Sequence, residues 1–286
     1  MVAPDGEVER ERKFASADYD SVEAMVSEFL AGDRPKCISL AVAGPVRGTT
    51  ARVTNLGWNV DAECWPGTET RLVNDGAAIA ASIPVLGEDD VAELHAGDPD
   101  PAGSIALVAP GTGLGMAVLT PNGPLASEGG HAAFAPGDNT ELLAWLKERV
   151  GRVTREHACS GRTLPDLYEF ILDGGWVADD PRVHAAQDRT RAIVESGSRA
   201  CVRTVRLFLE LLADIAGDWG LEVAASGGIY LAGGMAVALL DRMRDPFFLR
   251  TLQDKGRYAE FVSRMPVRVI LDPRAALRGA IALAGS

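Results

Sequence analysis

Positive charge is in short supply in this 286-residue sequence: 28 Lys and Arg stand against 40 Asp and Glu, a formal net charge of −12. That balance excludes a protein held on nucleic-acid phosphates, which needs a basic footprint. Long apolar runs are missing too. None reaches the roughly 18–20 residues that span a bilayer, so no membrane partner is expected. Aromatic residues make up only 6% of the chain. The four cysteines, Cys37, Cys64, Cys159 and Cys201, lie far apart and form no Cys-x-x-Cys pair. They offer neither a disulfide framework nor a zinc pattern, and read as reduced, mostly buried thiols of a cytoplasmic protein. The start, Met1 to Glu7, is polar and acidic and lacks the basic-then-apolar order of a signal peptide. What is present is a globular composition, 47% hydrophobic and 24% charged. The 31 glycines allow tight turns and close approach of backbone to a ligand.

Short apolar runs alternate with helical periodicity. Val22, Met25, Val26, Phe29 and Leu30 fall on one helical face, with Asp20 and Glu23 as a capping-box start and Gly32 as a stop. Cys37–Val42 is a buried strand running into Ala43-Gly44-Pro45, and Arg71-Leu72-Val73 is a second strand ending at Asn74-Asp75-Gly76. An alanine-rich helix follows over 77–82. Ser104–Ala109 and Met116–Leu119 are strands on either side of Gly111-Thr112-Gly113-Leu114-Gly115, and Thr120-Pro121-Asn122-Gly123 turns the chain again. Leu142, Leu143, Leu146 and Val150 share a helical face. A long helix over 198–219 carries Val202, Val205, Leu209, Leu212 and Ile215. Ile229–Ala232 is a strand stopping at Gly233-Gly234, Val267–Leu271 a last strand, and Ala275–Ala284 a closing helix. The stretches 98–103 and 173–180 read as surface loops. This is an α/β pattern, in which ligands sit beyond the carboxyl ends of strands.

Several of those strand ends carry chemistry. Asn74-Asp75 suits either a ligand-facing carboxylate with an amide beside it or a helix N-cap. Gly111, Thr112 and Gly113 suit a phosphate, with backbone amides free to approach and one hydroxyl to add a bond, or simply a tight turn. The run is neither a Walker A loop nor a dinucleotide fingerprint. Glu128-Gly129-Gly130-His131 places an acid and an imidazole where one small polyol could meet both. Glu156, in Val153–His157, is either a surface helical residue or a further carboxylate for hydroxyls. Gly233-Gly234 could admit the flat face of an adenine ring or merely end a strand.

Taken together, these segments resemble the bacterial ATP-dependent glucokinase family of the actin-like sugar-kinase superfamily. The resemblance runs from about Asp5 to the C-terminus and keeps the family order. It rests on Thr54-Asn55-Leu56-Gly57-Trp58, Leu72-Val73-Asn74-Asp75, Gly111-Thr112-Gly113-Leu114-Gly115 and Glu128-Gly129-Gly130-His131. Further along come Glu156 before Ser160-Gly161, Gly228–Gly234, and Asp254-Lys255-Gly256-Arg257. The related repressor/kinase sugar family follows its Glu-Gly-Gly-His element with a cysteine-rich zinc motif, which this chain lacks. The resemblance implies a two-lobed actin-like (ribonuclease H-like) α/β fold with the active site in the cleft. A small domain would take 1–85 plus 271–286, and a large one 86–270. It further implies transfer of the ATP γ-phosphate to the 6-hydroxyl of glucose. Asp75 would be the general base, and Asn74, Glu128, His131 and Glu156 would hold hydroxyls. Gly111, Thr112 and Gly113 would take the phosphates and Gly233-Gly234 would border the adenosine. Mg²⁺ would accompany the nucleotide without a dedicated set of protein ligands. A homodimer is the assembly that the resemblance suggests.

One family element is missing. The Asp-x-Gly-Gly-Thr-x-x-Arg phosphate loop near the start of such proteins does not occur in this sequence. Val8, Arg10, Arg12 and Phe14 read as the strand that would follow it. The expectation is a true start upstream of Met1. A sugar-binding homologue without catalysis is the alternative.

Overall fold

The computed structural model describes residues 1–3, 8–54 and 56–285. The chain divides into two compact units, 1–85 with 274–286, and 86–273.

In the first unit β1 (Cys37–Val42) pairs in parallel with β5 (Glu69–Asn74), so that Val42 lies opposite Asn74. Between them in sequence, β2 (Val46–Arg47), β3 (Thr50–Arg52) and β4 (Asn59–Asp61) make a small antiparallel sheet. Val42, Ala51, Val53 and Val60 form its buried apolar cluster, covered by Val22, Leu40, Trp58 and Trp65. The helix Val22–Leu30 starts one residue later than the Asp20 box implies. Ser21 is the cap, its hydroxyl accepting from Ala24 N–H at 3.2 Å.

The expected strand at Val8–Phe14 does not form. Among the described residues Val8 makes only an isolated bridge to Val2, and no strand pairs with the stretch that follows. Its alternating side chains are used against the helix Val22–Leu30 instead. The Arg10 guanidinium lies over the Phe29 ring at 4.9 Å, and Phe14 meets Phe29 edge-to-face at 6.3 Å.

The alanine-rich helix is Asp75–Ser82, and its small side chains let the helix Ala275–Ala284 pack closely on it. A Cβ on Gly279 would overlap Ala78 O, so only glycine allows that approach.

The second unit is built on a six-stranded sheet in the order β6-β11-β10-β7-β8-β9. Its strands are β6 (Val91–His95), β7 (Ile105–Pro110), β8 (Leu114–Thr120), β9 (Gly123–Ser127), β10 (Gly228–Leu231) and β11 (Val267–Ile270). β10 lies parallel to both β7 and β11, while β7, β8 and β9 form an antiparallel meander. The long helix Arg199–Glu222 buries Phe208, Leu209, Leu211 and Leu212 in the core of this unit. Two residues expected on buried helical faces, Val150 and Val202, are exposed instead. The chain returns to the first unit at Arg274 and not at 271, because Leu271 N–H still bonds Asp90 O at 2.8 Å. Cys159 and Cys201 are buried, Cys37 is half-buried and Cys64 is exposed, so the expectation of mostly buried thiols holds for only two of the four.

Candidate active site

In the first unit, β5 ends at Asn74 and the helix Asp75–Ser82 begins at once. Asn74 is buried and both ends of its amide are engaged. Its Oδ1 accepts from Ala77 N–H at 3.2 Å, capping the helix, and its Nδ2 donates to Gly44 O at 3.2 Å. Thr54 Oγ1 donates to Ala43 O at 3.1 Å, so the Ala43–Pro45 turn is clamped from two sides. Asn55, in the same motif as Thr54, lies outside the described residues. The side chain of Asn74 therefore fixes where Asp75 stands, a role that its position in the sequence left open.

Asp75 is exposed, and no cation pairs with it among the described residues. Partial desolvation by the surrounding protein raises its pKa above the ordinary aspartate value, and the N–H groups of Gly76 and of Asp75 itself oppose that shift. An unpaired carboxylate with a raised pKa is suited to taking up a proton.

In the second unit four sequence motifs come together at the ends of β7 and β10. Gly111, Thr112 and Gly113 form the tip of the β7–β8 hairpin, closed by Gly111 N–H donating to Gly113 O at 2.9 Å. The side chain of Thr112 is exposed, and its hydroxyl has no partner among the described residues. A Cβ at Gly111 would meet nothing within 4 Å. Gly233, at φ +88°, follows β10 and would place a Cβ 2.9 Å from Pro110 O, which puts 233–234 beside the start of the hairpin tip.

The Glu128–His131 turn is a single 3₁₀ turn, with His131 N–H donating to Glu128 O at 2.9 Å. Both end side chains are exposed, with His131 Nε2 3.9 Å from Glu128 Oε2. Gly130 is buried, and a Cβ there would overlap Leu114 O. Glu156 lies in the short helix Arg155–Ala158, capped by Thr154, and its Oε2 accepts from Leu114 N–H at 2.9 Å. The backbone joins these pieces further: Arg155 N–H donates to Ala132 O at 3.0 Å and Gly161 N–H to Gly111 O at 2.7 Å. The structure thus gathers Gly111, Thr112, Gly113, Glu128, His131, Glu156, Gly233 and Gly234 within the second unit. Asn74 and Asp75 stand in the first.

The Asp254–Arg257 motif does other work. Lys255 is buried and its ammonium lies between Asp214 and Asp218 of the long helix, 2.9 Å from Asp218 Oδ1 and 3.0 Å from Asp214 O. No signal in the sequence pointed to that ion triad. Lys255→Met keeps the apolar stem and leaves two carboxylates facing each other across one helical turn. It is expected to destabilise the protein by about 1–3 kcal/mol, the lower part of that range reflecting the partial exposure of both aspartates. Urea unfolding measures it, and wild-type stability in the variant would refute the assignment.

A profile of the glucokinase family matches residues 1–286. A glucokinase of Nostoc punctiforme is 31% identical over 303 residues, covering 94% of this chain and 89% of that protein. Among solved structures, glucokinase from an Antarctic psychrotroph has a TM-score of 0.81 at 26% identity, covering 99% of this chain and 92% of its own. A glucokinase of the repressor/kinase (ROK) family from Streptomyces griseus, solved with glucose and AMPPNP, shares the fold at TM-score 0.62 and 19% identity over 92% of this chain and 88% of its own. Together with the expected motifs in their expected order on two α/β units, these matches place the sequence: the chain belongs to the glucokinase family.

Proposed function

We infer that the chain is a hexose kinase that transfers the γ-phosphoryl group of ATP to the 6-hydroxyl of glucose, forming glucose 6-phosphate and ADP. Asp75 carries this reading, as an exposed carboxylate with no cation beside it and a pKa raised by its surroundings. In the proposed step it accepts the proton of the 6-hydroxyl as that oxygen bonds to phosphorus and the bond to ADP breaks. Glu128, His131 and Glu156 hold the other sugar hydroxyls, for which the exposed carboxylate and imidazole of the first two and the half-buried carboxylate of the third are suited. Asn74 fixes the start of its helix, and the second N–H of its amide is left to donate to a sugar hydroxyl. The open backbone and free hydroxyl at 111–113 take the phosphates, and Gly233-Gly234 border the adenosine. The protein's part in such a transfer is mainly positioning and charge stabilisation.

Mg²⁺ neutralises phosphate charge in such reactions. Among the described residues no group of three or more His, Cys, Asp or Glu stands together to hold a metal. The ion would come bound to the nucleotide, and no residue of this chain is assigned to it. No helix among the described residues is long and apolar enough to cross a membrane. A cytoplasmic location and a homodimer belong to the same proposal, the second tested by light scattering on the purified protein.

A direct test is formation of glucose 6-phosphate from glucose and ATP by the purified chain. Binding of both without turnover, by this chain and by a form extended at its N-terminus, would overturn the enzyme reading in favour of a sugar-binding homologue. The pH dependence tests the base. Asp75 works deprotonated, so kcat/KM falls as pH drops through its pKa. Because that pKa is raised, the fall is expected at a higher pH than an ordinary aspartate, at about 3.9, would give. An acid limb at or below the ordinary value would remove Asp75 from the role.

A further inference from the structure

Leu114 occupies an unusual position. It closes the 111–113 turn as the first residue of β8, with its side chain buried. Its N–H is held by the Glu156 carboxylate, and its C=O packs so closely on Gly130 that no Cβ fits there. Glu156 and Gly130 thus meet on the backbone of one residue, and both belong to the segments proposed to hold the sugar. Those two segments are themselves joined. Arg155 N–H bonds Ala132 O, Phe134 N–H bonds Val153 O at 3.2 Å, and Ala133 bridges Thr154. The stretch 156–161 then grips the turn at both ends, since Gly161 N–H bonds Gly111 O while Glu156 bonds Leu114 N–H. Only Oε2 of Glu156 is used in this way. Oε1 has no partner among the described residues and remains free to accept from a hydroxyl.

We propose that Glu156 is a positioning residue for the nucleotide as well as a ligand for the sugar, so that a hexose on Glu156 tightens the 111–113 turn and raises nucleotide affinity. The inference rests on the assignment of these residues to sugar and phosphate given above. Its physical basis is that a carboxylate oriented by a hydroxyl on one oxygen loses freedom on the other. The Leu114 N–H bond is then made more often, and the turn amides are presented in one arrangement. Linkage requires the effect to be mutual: AMPPNP must tighten glucose by the same factor by which glucose tightens AMPPNP.

Calorimetric titration of AMPPNP with and without saturating glucose, and of glucose with and without saturating AMPPNP, gives the coupling factor. A factor within the roughly 5- to 150-fold range of allosteric couplings is expected for the wild type. Glu156→Ala is expected to bring the factor close to 1, while Glu156→Gln, which keeps an acceptor oxygen for Leu114 N–H, retains part of it. His131→Ala weakens glucose but leaves the Leu114 bond, so its factor at saturating glucose is expected to stay at the wild-type value. Should Glu156→Ala fail to fold, Gly113→Ala attacks the same bond from the other side, since its Cβ would stand 3.1 Å from Glu156 Cδ and overlap Oε2. Binding of both ligands by the wild type with no coupling, or coupling that survives both Glu156→Ala and Gly113→Ala, overturns the proposal. A wild type that binds neither ligand overturns the functional reading beneath it.

Discussion

Asp75→Asn is expected to lower turnover by about 10²- to 10⁴-fold, the contribution of one well-placed general base, while glucose binding survives. The substitution is nearly isosteric and keeps a hydrogen-bonding side chain, so contacts to a bound hydroxyl persist and only the proton acceptor is lost. Stability acts as the internal control. A carboxyl whose folded pKa is raised binds protons more tightly folded than unfolded, so its contribution to stability declines as pH rises through that folded value. At neutral pH the neutral amide escapes this cost. Against that, Asp75 sits in the first turn of its helix, where a negative charge is favourable by about 0.3–1 kcal/mol. The two effects oppose one another, and little change in melting temperature is expected. A coupled assay for glucose 6-phosphate, calorimetry with glucose and a thermal melt on the same preparation separate the outcomes. Retention of most of the activity would show that the base lies elsewhere, and loss of glucose binding would make Asp75 a ligand first.

The ends of the buried strands were legible because a short apolar run followed by Gly or Asn-Asp has few other uses. Five turns found in that way, at 43–45, 74–76, 111–115, 120–123 and 233–234, are turns or element boundaries in the structure, although β8 begins at Leu114 and so takes in the last two residues of the third. The small sheet β2-β3-β4 was not legible. Its strands have two or three residues each and at most one buried residue apiece, too short for a period of 2 to register. Val8–Phe14 shows the opposite failure. Its alternation is real, but alternation alone does not make a strand where no neighbour offers a ladder, and Arg10 and Phe14 both meet Phe29 on a helix. In the candidate site the residue types were visible but their mutual bonds were not. Nothing in the spacing of 114 and 156 announces that a carboxylate holds a hairpin N–H 42 positions away. Asn74 is the instructive case. Cap and ligand were both open from sequence, and the structure shows the cap together with a bond to Gly44 O that sequence did not announce, each using one of the two donor or acceptor sites at its end of the amide.

Gly279→Ala sets two opposing effects of known size against each other in the same unit. Alanine is the better helix former by about 1 kcal/mol, and it also restricts the unfolded chain by about 0.4–1 kcal/mol, so on local grounds the change stabilises. Packing decides otherwise. The new Cβ would overlap Ala78 O and lie 2.7 Å from Ala78 C and 3.0 Å from Ser82 N, all three of them backbone atoms. No flexible side chain is available to give way, so the helices Ala275–Ala284 and Asp75–Ser82 must separate. Overpacking of this kind costs about 1–3 kcal/mol and sometimes more. Here it also forfeits contact between these two helices, where Ala77, Ala78, Ala80 and Ala81 are buried. Net destabilisation is expected in urea unfolding. Gly197→Ala is the control of opposite sign: its φ is not in the left-handed region and a Cβ there meets nothing within 4 Å, so a gain of about 0.4–1 kcal/mol is expected. Activity should follow for Gly279→Ala alone, because the helix that must move begins at Asp75 and a shift of a fraction of an ångström misplaces the base. If Gly279→Ala is as stable and as active as the wild type, the close approach of these two helices is not what fixes the start of the helix Asp75–Ser82.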